Sequence, residues 1–158
     1  MAKENPKMKN DCELCSFKPE ETVFSNDKWR VIQVNDTDYP GFCRVIWNGH
    51  VREMTDLSEA ERFEMMSVVW TVEKVVRDVM QADKINLASF GNMVPHLHWH
   101  VIPRFENDRH FPDSIWSVPK RAKDVNATNV RTERASGLRE ALNQALHKQF
   151  SPSESVVS

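Results

Sequence analysis

No apolar run in the 158 residues approaches the roughly 20 needed to cross a bilayer, so a membrane-spanning helix is not expected. The stretch Met1–Asp11 is polar and charged, without the apolar centre of a secretory signal, and a cytoplasmic protein is the expectation. Cationic excess is missing too. Lys and Arg number 21 against 23 Asp and Glu, a formal charge of −2, which argues against a surface for nucleic acid polymers. Any phosphate ligand must therefore be met by a local site. Cys12, Cys15 and Cys43 are too few, and odd in number, for a disulfide framework. Neither an internal repeat nor a long low-complexity tract is present. The length fits one domain, large enough to bury roughly two-thirds of the surface of its unfolded chain.

What the sequence does have is concentrated in Pro95–Arg104. His96, His98 and His100 alternate there with Leu97, Trp99 and Val101, so that half of the six histidines fall within five positions. Successive side chains of a strand point to opposite faces. The spacing therefore predicts three imidazoles in a row on one face and an apolar row on the other.

In chain order, Cys12-Glu13-Leu14-Cys15 closes an expected mobile tail (residues 1–11), and its spacing suits either a metal knuckle or a redox pair. Residues 28–34 and 42–47 read as neighbouring antiparallel strands around the turn Asn35–Gly41. Ser58 and Glu61 form a capping box that starts a long helix. Its apolar stripe is read as Phe63, Met66, Val69, Trp70, Val76 and Val79 or Met80. Residues 84–90 read as a strand, followed by the Gly91-Asn92 turn and the histidine strand. Beyond Arg104 lies a loop with prolines and aromatics, of the kind that carries binding residues. A last helix is predicted over about 131–149, with Leu138, Leu142 and Leu146 on one side and Gly137 weakening it by about 1 kcal/mol. Residues 151–158 are expected to be disordered. The fold class is α+β: an antiparallel sheet with one long helix packed on it and a C-terminal helix.

Imidazoles titrate near neutrality and can act as nucleophile, proton donor or metal ligand. Residues two apart on a strand lie roughly 6 to 7 Å from one another, a spacing suited to successive parts of one ligand. A histidine attacking phosphorus would divide a displacement into two steps through a phosphoramidate.

His96-Leu97-His98-Trp99-His100-Val101-Ile102 resembles the signature of the histidine triad superfamily of nucleotidyl hydrolases and transferases. The resemblance covers about residues 12–116, and includes Gly91-Asn92 before the triad and Pro40-Gly41 before the second strand. It is closer to small bacterial members than to the fragile-histidine-triad branch, because Phe42 stands where that branch has histidine. It implies a triad-type catalytic domain over 12–120, an added helical extension over 121–150, and a two-fold homodimer. By the same resemblance, His98 would attack the α-phosphate of a nucleotide to form a nucleotidyl-histidine. His100 would contact the phosphate and His96 would line or orient the site. Asn86 and Asn92 would bind phosphate oxygens, Asn35 the ribose, and Trp116 would close the site. The sequence departs from the pattern at Asn92, which is shorter than the usual Gln, and at Met93, where relatives carry a hydroxyl suggested to protonate the leaving group.

Cys12, Cys15, His50 and His96 have the composition of a closed Cys₂His₂ zinc site, and some bacterial triad proteins and the related galactose-1-phosphate uridylyltransferases resemble this arrangement. A plain reduced cysteine pair is the alternative. No organic cofactor is expected. Cys43 reads as a buried small hydrophobe, His110 as a surface loop residue, and Met65, Met66 and Trp70 as core or dimer interface. The functional expectation is cleavage at the α-phosphate of a dinucleoside polyphosphate or nucleoside phosphoramidate. A nucleotide-binding or zinc-stabilised interaction module without catalysis is the alternative.

Overall fold

The computed structural model describes residues 11–16 and 18–151, so the two expected tails lie outside the described residues except at Asp11 and Ser151. Five strands form one antiparallel sheet: β1 (Thr22–Ser25), β2 (Trp29–Gln33), β3 (Cys43–Trp47), β4 (Lys84–Ala88) and β5 (His98–Arg104). Their spatial order is β1-β2-β3-β5-β4. With helices α1 (Glu59–Met80), α2 (Val125–Ala135) and α3 (Leu138–Phe150), the architecture is the expected α+β class.

Cross-strand partners share a face, and the register divides the sheet cleanly. Trp29, Val31, Val45, Trp47 and Val101 pack with Met65, Val68, Val69, Val72, Val76 and Met80 of α1 in the main core. The opposite face carries Arg30, Ile32, Arg44, Ile46, His98 and His100. This second face holds the chemistry.

Helix α1 begins as expected. Glu61 N–H donates to Ser58 Oγ and Ser58 N–H to Glu61 Oε2 at 2.7 Å, a cap typically worth about 1 kcal/mol. The turn between β2 and β3 seats Gly41, at φ 88°, against the far end of this helix. A β-carbon there would lie 2.7 Å from Met80 Sδ, so only glycine fits both the conformation and the space.

Four expectations change. The expected stripe of α1 holds at Val69, Val76 and Met80, which are buried, but Phe63 and Trp70 are 69% and 52% exposed and meet edge to face on the outer side. The C-terminal helix is two helices. Asp124 caps α2 through Ala127 N–H, and the chain breaks at Ser136-Gly137, so that Leu138, Leu142 and Leu146 turn into the main core. Strand β1 has only four residues, too short for a periodicity to register, and α3 stabilises it from outside. Arg139 and Asn143 donate to the carbonyls of Thr22 and Val23 and so occupy the free edge of the sheet. Finally, β5 begins at His98, so His96 precedes the strand and does not join the row of imidazoles.

Candidate active site and metal cluster

His98 and His100 stand two apart on β5, buried, with ring centroids 4.8 Å from each other. The His98 ring has a defined tautomer because Nδ1–H donates to the His96 carbonyl at 2.6 Å. Its Nε2 is left with a lone pair. Burial, and secondarily the charge of Arg44, keeps the His98 imidazole below its ordinary pKa; the bond to His96 works in the other direction. His100 is pushed down to about 3 by burial, then by His98 and Arg44. At neutral pH both rings are uncharged, the state a nucleophile requires.

The two histidines open into a cavity of about 460 Å³, walled by Glu13, Leu14, Arg44, Asn92, Met93 and Trp116 among others. Trp116 lies 5.0 Å from His100 and meets Phe90 edge to face at 5.2 Å, making an apolar rim. The loop that carries Trp116 is pinned from below. Arg104 pairs with Asp108 at 2.7 Å and donates to the carbonyl of Asp113, three residues before Trp116. His110, expected at the surface, is buried instead, with Nδ1 2.6 Å from the Tyr39 hydroxyl that donates to Asp108. Cys43 is buried as expected, which pushes its thiol up to about 12.

Of the residues assigned to nucleotide binding, Asn92 and Trp116 line this cavity and Asn35 and Asn86 do not. Asn86 lies on the same face of β4, but its carboxamide oxygen accepts from Arg104 Nη1 at 2.7 Å, and it borders the adjoining groove below Trp116. Asn35 is exposed in the turn after β2 and borders a separate groove against α2. Arg44 was not legible as a site residue. The available signal was a lone cation inside the apolar run Cys43–Trp47, in a strand that pairs with the triad strand.

His96 faces away from the cavity toward Cys12, Cys15 and His50. The four donor atoms lie within 4.8 Å of one another. His96 Nδ1 is 3.5 Å from both Sγ atoms, and His50 Nδ1 is 3.3 Å from Cys15 Sγ. The edges of a tetrahedron built on Zn–S and Zn–N bonds are roughly 3.3–3.8 Å; the three contacts of 3.3–3.5 Å match them, and the donor set is that of a closed zinc site. His96 Nε2–H donates to the Trp47 carbonyl, which aims Nδ1 at the sulfurs in the manner of a ligand held by its outer neighbour. Arg30 holds the knuckle from behind, donating to the Leu14 carbonyl at 2.6 Å and to Asn48 Oδ1 at 3.0 Å.

Comparison with known proteins agrees with this architecture. The HIT domain family matches residues 16–107. Among curated proteins, the AP-4-A phosphorylase of Mycobacterium tuberculosis (strain CDC 1551 / Oshkosh) is 30% identical over 95 residues, 54% of this chain and 49% of that protein. The asymmetrical bis(5'-nucleosyl)-tetraphosphatase of Schizosaccharomyces pombe is 31% identical over 83 residues, 49% of this chain and 46% of that one. The chain thus spans about half the length of the curated relatives it matches. In three dimensions, a histidine triad protein from Bradyrhizobium japonicum superposes with a TM-score of 0.63 at 27% identity, covering 80% of this chain and 97% of that one. A zinc-bound histidine triad family protein from Mycobacterium smegmatis shares the fold with a TM-score of 0.60 at 23% identity, covering 85% and 94%. Two buried imidazoles on the triad strand, the antiparallel sheet around them and a family match over more than half of its length show that this chain belongs to the HIT domain family.

Proposed function

We propose that the protein is a nucleotidyl hydrolase or transferase that cleaves at the α-phosphate of a nucleotide through a nucleotidyl-His98 intermediate. The observation that carries this reading is the His98 ring itself: its Nδ1–H is committed to the His96 carbonyl, and its Nε2 lone pair belongs to a residue lining a nucleotide-scale cavity. In the first step Nε2 attacks the α-phosphorus, an N–P bond forms, and the bond to the leaving group breaks with its electron pair leaving on that group. Met93, 96% exposed, has no proton to give, and the leaving group takes one from solvent at the cavity mouth. Water or another acceptor then attacks phosphorus and frees His98. His100 contacts the phosphoryl group, Asn92 binds its oxygens, and Trp116 closes over it. In this reading the nucleoside runs across β3 and β2 toward the turn bearing Asn35, while Asn86 borders the far side of the site. His96 orients His98 through its carbonyl and belongs otherwise to the metal cluster.

The substrate class is a dinucleoside polyphosphate or a nucleoside phosphoramidate, and the curated relatives' names favour the former. Cys12, Cys15, His50 and His96 hold a structural zinc ion, which contributes cross-linking and no reaction step. The chain acts as a homodimer, a reading supported by the exposed Phe63–Trp70 pair on α1 and the free edge of β4, where Leu87 is exposed.

Incubation with a substrate radiolabelled on the α-phosphate, followed by rapid denaturation, tests the mechanism. Wild type is expected to retain label on the chain and His98→Ala to lose both label and turnover while still binding nucleotide. Label on both proteins, or turnover with label on neither, would exclude the intermediate. Binding without turnover in wild type would favour the non-catalytic module, the reading that the missing hydroxyl at Met93 supports.

A further inference from the structure

Among the described residues lining the His98 cavity, Arg44 is the only Lys or Arg. β3 sets it directly opposite His100 in cross-strand register, on the same face as both histidines. Its guanidinium lies over the Phe42 ring, 5.6 Å from the centroid, and its Nε is buried with no acceptor among the described residues. No carboxylate among the described residues comes within ion-pair distance of it. Burial works against its charge, and Glu13 and Glu21 offset that only through space. Arg30, on the same face, is different: the carbonyls of Leu14 and Ser16 and the side chain of Asn48 answer it. Of these two arginines, then, only the one facing the cavity lacks a hydrogen-bond acceptor among the described residues.

A partly desolvated cation without a partner is costly, and among the described residues this cavity has no second cation. A nucleophilic His98 presents a lone pair, and the uncharged His100 offers at most one N–H. His100 Nδ1 is also buried without a partner, so two unanswered nitrogens belong to one cross-strand pair. A phosphoryl group brings the oxygens and the negative charge that both lack, and a planar guanidinium matches its geometry.

We propose that Arg44 binds the phosphoryl group under attack, supplying the positive charge of the site; the assignment rests on the function proposed above. Because that group is common to all substrates of the class, Arg44 selects for a nucleotide over a nucleoside and is indifferent to base and leaving group.

Calorimetric titration of AMP and adenosine into wild type, Arg44→Gln and Arg44→Lys reads this directly. Wild type is expected to prefer AMP by about ten-fold or more, the worth of one charge-assisted hydrogen bond. Arg44→Gln should bring AMP to the affinity of adenosine and leave adenosine unchanged, and Arg44→Lys should keep part of the preference. Equal weakening of both ligands would make Arg44 a nucleoside contact and overturn the proposal, as would an AMP preference that survives Arg44→Gln or is absent from wild type. In turnover, a loss of kcat/KM confined to polyphosphate substrates would move Arg44 to the leaving group and overturn it as well. If wild type prefers AMP through Arg44 yet turns over no phosphoramidate or dinucleoside polyphosphate, the catalytic reading fails and the role of Arg44 stands. Wild-type unfolding midpoints in both variants exclude a folding defect as the cause.

Discussion

At Asp108, six donors converge on two carboxylate oxygens: Arg104 Nε and Nη2, the Tyr39 hydroxyl, and the backbone N–H groups of Phe105, His110 and Phe111. Burial alone would raise this carboxyl. Arg104 and the backbone N–H groups prevail and hold it at about 2. A group whose pKa is lower folded than unfolded adds stability above its unfolded value and loses it as pH falls toward the folded value. Stability supplied by Asp108 is therefore complete above about pH 4 and drains away between about 4 and 2. Asp108→Asn leaves Arg104 charged in the interior with only the neutral acceptors Asn86 and the Asp113 carbonyl, and is expected to cost about 3–5 kcal/mol at pH 7. It should also flatten the acid limb of stability. Urea unfolding at pH 7, 4 and 2.5 measures both, and an unaltered acid limb in the variant would show that Asp108 is not its source. The same network carries the loop to Trp116, so the variant is expected to lose activity beyond its loss of stability. None of this was legible from residues 104–116, where only the prolines and aromatics mark a loop. Asp108 and His110 stand 69 and 71 positions along the chain from their partner Tyr39, a pairing that only the fold creates.

Among the elements, α1 was the most legible and also the most instructive in its error. Its capping box is local, written in four residues, and needs no tertiary information. Which face turns inward is a property of the sheet it meets. Phe63 and Trp70 are among its largest apolar side chains and were read into the buried stripe beside Val69 and Val76, whereas the smaller Val68 and Val72 complete the row that fits against the strands. The triad strand shows the same limit: alternation identified His98 and His100 correctly, but the chain reaches β-geometry only at His98, which frees His96 to turn toward the cysteines. The large residues left outside on α1 support pairing of two chains through that helix. Phe63→Glu combined with Trp70→Glu is expected to move the protein from dimer to monomer mass in sedimentation equilibrium. Both positions are exposed in the single chain, so its unfolding midpoint extrapolated to low concentration should stay within about 0.5 kcal/mol of wild type. A wild type already monomeric at high concentration would remove the homodimer.

For the whole molecule, the cluster of Cys12, Cys15, His50 and His96 brings three distant segments together beside the cavity. Cys12 and Cys15 belong to the N-terminal segment, His50 to the chain after β3, and His96 to the approach to β5. The turn between the cysteines presents Glu13 and Leu14 to the cavity, while the backbone of His96 orients the His98 ring. An ion at this point would therefore fix one wall of the site and the orientation of its nucleophile together, without touching substrate. Protein purified without added metal is expected to carry one zinc per chain. Cys12→Ser should lower that content and the melting temperature by on the order of 10 °C, taking about 3 kcal/mol for the lost ligand and 2–4 °C per kcal/mol at this chain length. Cys15 and Cys43 are both buried in the wild type, and only Cys15 belongs to the cluster, so new reactivity toward a thiol reagent in the variant should come from Cys15 as the knuckle opens. KM should rise as the displaced wall loses its hold on substrate, and kcat should fall as the His96 carbonyl that orients His98 loses its anchor. Substoichiometric zinc in a wild-type protein that melts at an unchanged temperature after chelation would make the four residues a thiol–imidazole cluster, held by Arg30 and the Trp47 carbonyl alone.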